Sequence, residues 1–167
     1  MTTAGPGFTG AGASASAATP RPKGSRPLNV PPLGGPAASR AWTEFQARVR
    51  DDQATVDRLD GDLTNAADAV DLEGVRKAAV AILDFVDGER DWLVAHAPGD
   101  CFAAAHESAM AMLDAYGSAA DRFVDWSTTG GGLGGLSALG RAANAADTAK
   151  AALATFTSVM GGTTCQD

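Results

Sequence analysis

From Trp42 to Met160 the apolar residues of this chain recur at intervals of three and four. That spacing limits the possible folds more than any other feature. It gathers the apolar side chains on one stripe of an α-helix, whereas in a strand it would scatter them over both faces. No stretch alternates apolar and polar residues strongly enough to compete, so the chain reads as all-α.

Three interruptions divide the pattern into four predicted helices, at about 38–70, 72–96, 101–127 and 136–160. In the first, Trp42, Phe45, Val49, Val56, Leu59, Leu63, Ala66 and Val70 share a stripe, with Asp52 occupying the one missing step. Ser39 stands where an N-cap is expected. In the second, capped by Asp71, Val75, Ala79, Ile82, Val86 and Leu93 form the stripe, flanked by Phe85 and Trp92. Ala97-Pro98-Gly99 ends it, because proline disfavours a helical residue before it and glycine accepts positive φ. Asp100 is the expected cap of the third helix, whose stripe runs Cys101, Phe102, Ala105, Ala109, Met112, Tyr116, Ala119 and Phe123. The glycine-rich run STTGGGLGG over 127–135 separates it from the fourth, which carries Leu139, Ala142, Ala146, Ala149, Leu153, Phe156 and Met160. Short connections make consecutive helices antiparallel neighbours, so the expected architecture over 37–165 is an up-down-up-down four-helix bundle.

Residues 1–36 belong to none of this. They are Gly, Ala, Ser, Thr and Pro with almost nothing to bury, which predicts a disordered arm, Pro-rich and extended over 19–36. Arg21, Lys23 and Arg26 give the arm three positive charges and no acid, which leaves 10 basic and 20 acidic residues for the body. An acidic body repels phosphate, so nucleic-acid binding is not expected. No run of about 18 apolar residues predicts a membrane span.

Two cysteines bear on compartment. Cys101 lies 29 residues before Gly130 and Cys165 lies 35 after it, so a helical hairpin folded there brings both to one end. The expectation is a Cys101–Cys165 disulfide. Three alternatives are buried inert thiols, a reactive thiol at a helix start, and metal binding by Cys101 with His106. Against the last, a five-residue step turns about 140° around a helix, so the two side chains do not share a face. A disulfide places the domain in an oxidising compartment. Residues 1–20 lack the charged and continuous apolar regions of a signal peptide, and the cytoplasm is the alternative to an extracytoplasmic or secreted location.

Candidate sites are few. Asp52, Glu89 and His106 fall at one height in the bundle, where two carboxylates and an imidazole suit a metal or acid–base chemistry. The competing reading is a polar layer in which Arg48 and Arg90 pair the acids. Trp42, Trp92, Phe102 and Phe156 gather at the disulfide end, either as a core layer or as a binding patch or pocket. His96, in the last turn of the second helix, suits the negative end of the helix dipole. Gly130, Gly132 and Gly135 match GxGxxG, but no strand precedes them, so they read as an interhelix connection. The chain is thus expected to be non-enzymatic and without a cofactor. It is expected to act as an interaction or structural module toward an unidentified protein partner, as a monomer or small homo-oligomer. The alternative is a small-molecule-binding bundle that uses the aromatic end.

Overall fold

The computed structural model describes residues 36–130 and 132–165, with side chains from residue 40 onward. The arm expected over 1–36 lies, apart from Pro36, outside the described residues. Four helices account for almost everything else: α1 (Pro36–Asp68), α2 (Leu72–Ala95), α3 (Ala103–Thr129) and α4 (Gly132–Gly162). A single 3-10 turn, Asp100–Phe102, leads into α3. Among the described residues there is no strand, and no helix is long and apolar enough to cross a membrane. Consecutive helices pack as antiparallel neighbours, and the bundle is all-α as the spacing requires.

The ends of the helices show where local chemistry prevails. Asp71 caps α2, its carboxylate accepting from the Gly74 N–H at 3.0 Å. A Cβ on Gly74 would come within 2.5 Å of that carboxylate, so glycine there leaves room for the cap. Ser39 is not a cap, because α1 already begins at Pro36; proline suits a first turn whose N–H groups have no helical partner. Asp100 is not a cap either. It lies inside the 3-10 turn, and neither that turn nor α3 has a side-chain cap.

Val70 leaves its predicted stripe. The Asp71 N–H reaches back to the Ala66 carbonyl at 2.9 Å and the Val70 N–H to Ala67 at 3.0 Å. This is the Schellman closure of a helix, which requires a left-handed residue at Val70, and its φ is 53°. The turn therefore holds a β-branched side chain in a conformation that favours glycine and points it into solvent.

The glycine run is shorter as a connection than it looks in sequence. α3 continues to Thr129 and α4 begins at Gly132, four residues before the predicted start. Gly130 turns the chain with φ 73°. Gly135 is buried where a Cβ would lie 1.9 Å from the Gly130 carbonyl oxygen, so only glycine lets the helix start fold against the turn.

Packing is uneven around the bundle. The α3–α4 interface is the most extensive, and the α2–α3 interface follows. Buried Ala105, Ala109 and Ala120 on α3 and Ala138, Ala142 and Ala149 on α4 explain this, since small side chains let two backbones approach closely. α1 packs mainly on α2 and only thinly on α4. Its Asp52 falls in core phase, where a carboxyl resists the tight burial that a leucine would allow.

Candidate functional site

At the disulfide end, Cys101 and Cys165 are bonded, their Cα atoms 5.7 Å apart. α3 and α4 rise and return from one turn, so the start of the first and the segment after the second meet. Phe102, beside Cys101, is 1% exposed and anchors the aromatic layer. Its ring lies 5.4 Å from Trp42 and 5.7 Å from Phe45. Phe45 occupies the centre, 5.8 Å from Trp42, 6.4 Å from Trp92 and 6.4 Å from Phe156. Of the four residues read as a patch, Trp42, Phe102 and Phe156 are buried and Trp92 is half-buried. They form a core layer and not an outward patch, because α1, α2, the 3-10 turn before α3, and α4 each bring aromatic rings to this one level. Sequence reasoning placed Phe45 on the α1 stripe without making it the hub. Its position one turn from Trp42 was the available signal.

His96 closes α2. Its backbone N–H and its ring Nδ1 both lie within hydrogen-bond reach of the Trp92 carbonyl, the ring at 2.8 Å. The imidazole also stacks on Trp92 at 4.2 Å. Two carbonyl contacts and a ring contact hold it as a cap.

The acid triad assembles only in part. Asp52 and Glu89 meet on Arg48, while His106 turns away and donates from Nε2 to the Leu93 carbonyl at 3.0 Å. Among the described residues no three His, Cys, Asp or Glu side chains converge as metal ligands. Arg48 holds both oxygens of Glu89, one from Nε at 3.0 Å, and the same Nε lies 3.3 Å from Asp52. Arg90 does not join; it pairs with Asp114 on α3 and with Asp87. Glu89 is 8% exposed and is the buried charged residue of the core. Two carboxylates thus share one guanidinium, which also sits over the Trp92 ring at 5.8 Å.

Electrostatics follow from that ratio. Burial pushes the Asp52 carboxyl up to about 7, and the hydrogen bond and charge of Glu89 push in the same direction, against the pull of Arg48. The Glu89 hydrogen bond raises Arg48, which stays charged. Folded Asp52 binds its proton more tightly than unfolded Asp52, so its contribution to stability is complete below about pH 4. That contribution falls as pH rises to about 7. With its side chain 21% exposed, screening reduces the effect to about 1–2 kcal/mol. Asp52→Asn is therefore expected to gain about that much stability over wild type at pH 8 and little at pH 4, as read by denaturant midpoints at both pH values. An equal effect at both would exclude the linkage.

Beside this cluster the thin α1–α4 contact leaves a cavity of about 90 Å³. Phe45 and Val49 of α1, Met112 and Tyr116 of α3, and Leu153 and Phe156 of α4 wall it, and Asp52, Gln53 and Glu89 are its polar margin. A second, more open space of about 290 Å³ continues along the same seam, between Asp60, Leu63 and Ala67 on α1 and Ala143, Ala146 and Lys150 on α4. Tyr116 lines both. Burial, with Asp60 and Asp57 nearby, pushes its phenol up to about 12, so it stays neutral. The sequence indicated the aromatic end but not this opening, since a gap between the first and last helices is not written in the period of either. Compared with models of known protein families, with curated proteins and with solved structures, the chain matches none.

Proposed function

We propose that the protein is a non-enzymatic bundle that binds a small apolar molecule in the cavity between α1 and α4. The observation that carries this reading is the cavity itself, apolar on all four helices and polar along one margin. Ligand pockets have that composition: apolar walls supply affinity, and a few polar groups set orientation. The Cys101–Cys165 bond supports a place for the domain in an oxidising, extracytoplasmic compartment, with the Pro-rich stretch before Pro36 as its tether.

The test is titration of the full chain with 4-(dimethylamino)benzonitrile, a neutral one-ring dye that brightens in apolar surroundings and is small enough for the cavity. A saturable rise is expected, lost in Leu153→Trp, whose indole fills the cavity and whose melting temperature shows that it is folded. A flat response, or an equal response in the filled variant, would overturn the reading.

A second reading, a protein-interaction module, draws on the other end of the bundle. There Leu133 and Leu136, in the first turns of α4, are 87% and 67% exposed. Apolar side chains so open to water favour a contact surface when they cluster. An unchanged sedimentation coefficient on concentration would exclude self-association as its basis.

A further inference from the structure

We infer that the ligand of the α1–α4 cavity is a small primary amine, with an alkyl or aryl stem between Phe45 and Phe156 and an ammonium group against Asp52 and Glu89. This rests on the reading of the cavity as a binding site and adds the ligand's chemical class.

The charge count at the margin is the basis. Asp52 on α1 and Glu89 on α2 are two carboxylates, and Arg48 is the guanidinium between them, its Nε 3.3 Å from one and 3.0 Å from the other. Asp51, next along α1, adds a further negative charge. From α3 and α4 the lining contains Met112, Tyr116, Leu153 and Phe156 and no charged side chain. The two carboxylates of the lining against one guanidinium thus leave one negative charge uncompensated beside an apolar space, and Asp51 adds to it from outside the lining. An alcohol placed there donates one hydrogen bond and leaves the charge uncompensated, whereas an ammonium donates and also neutralises it. A carboxylate is repelled. The size also fits, because a cavity of about 90 Å³ opening to solvent takes a short chain or one ring, not a sterol or a long acyl chain.

The bare cluster has one way to cancel its charge, by holding a proton between the two carboxyls. Since Asp52 is pushed up to about 7, an entering ammonium must displace that proton at lower pH. Alkylamines titrate near lysine, at about 10.4, so the ligand's own charge is constant over the range that matters. Affinity for amines is then expected to rise with pH up to about 7 and level off, about tenfold between pH 6 and pH 8. Affinity for an uncharged analogue stays flat.

The experiment compares hexylamine, hexan-1-ol and hexanoate on the full chain by NMR titration at pH 6 and pH 8. The expected order at pH 8 is amine ahead of alcohol by tenfold or more, with hexanoate weakest. At pH 6 the amine weakens about tenfold and the alcohol does not change. Asp52→Asn is expected to lose both the amine preference over the alcohol and its pH dependence. The wild-type series decides the matter even if that variant folds poorly. Alcohol binding as tight as amine binding, a preference for hexanoate, or a pH-independent amine would overturn the inference while the cavity remains a binding site. Failure of the alcohol and of the one-ring dye together would overturn the cavity reading and the inference with it. An amine that does not bind overturns the inference whatever the dye does.

Discussion

Replacing both Cys101 and Cys165 by serine is expected to lower the stability of the domain by about 4 kcal/mol. The bond spans 64 residues of sequence, and a cross-link over that length restricts the unfolded chain far more than the folded one, where the two Cα atoms are already 5.7 Å apart. Its location adds to this. Cys101 lies within the turn that presents Phe102 to the aromatic layer, and Cys165 stands three residues beyond the end of α4 at Gly162. Without the bond, the start of α3 and the end of α4 are free to separate. The measurement is a guanidinium midpoint for wild type with and without reductant, and for the double variant. Reductant should bring wild type down to the variant's midpoint and leave the variant where it is. Equal midpoints for oxidised and reduced wild type would exclude a stabilising bond.

Phe45→Ala is expected to cost about 3–5 kcal/mol, the range for truncating a buried aromatic residue. Phe45 is buried, and its ring lies within 6.4 Å of Trp42, Trp92, Phe102 and Phe156, which come from all four helical segments of the layer. The rings around it are held by their own contacts, which limits collapse into the space. The void would also merge with the α1–α4 cavity that Phe45 walls. Thermal and denaturant unfolding should show the loss, together with weaker near-ultraviolet circular dichroism from the two tryptophans. Leu136→Ala, at a side chain 67% exposed, should stay within about 0.5 kcal/mol of wild type. A Phe45→Ala loss no larger than that of Leu136→Ala would mean the layer is not the anchor of the core.

Much of the bundle was legible because a helix stripe is a one-dimensional property. Val75, Ala79, Ile82, Val86 and Leu93 are buried as their spacing requires. The pairing of Cys101 with Cys165 was legible for a related reason, since counting residues back from one turn fixes which ends meet. The failures fall where a local signal was weaker than its surroundings. Val70 follows the apolar phase of α1, yet the hydrogen bonds of the turn require its left-handed φ of 53° and expose it. Ser39 and Asp100 have cap chemistry, but helix starts elsewhere made it irrelevant.

The candidate site divides along the same line. That Asp52 interrupts an apolar stripe is plain in the sequence, and so is its proximity in height to Glu89. Rotation about each helix axis then decided that Glu89 faces Arg48 and Asp52 while His106 faces a carbonyl of α2. Helix number, buried stripes, chain reversal points and disulfide register follow from sequence alone, because each depends on neighbours along one chain. The opening between α1 and α4, and the two carboxylates sharing one guanidinium at its edge, depend on how closely separate helices approach. The bulk of side chains distant in sequence sets that distance: small alanines draw α3 and α4 together, and a polar residue in core phase holds α1 away.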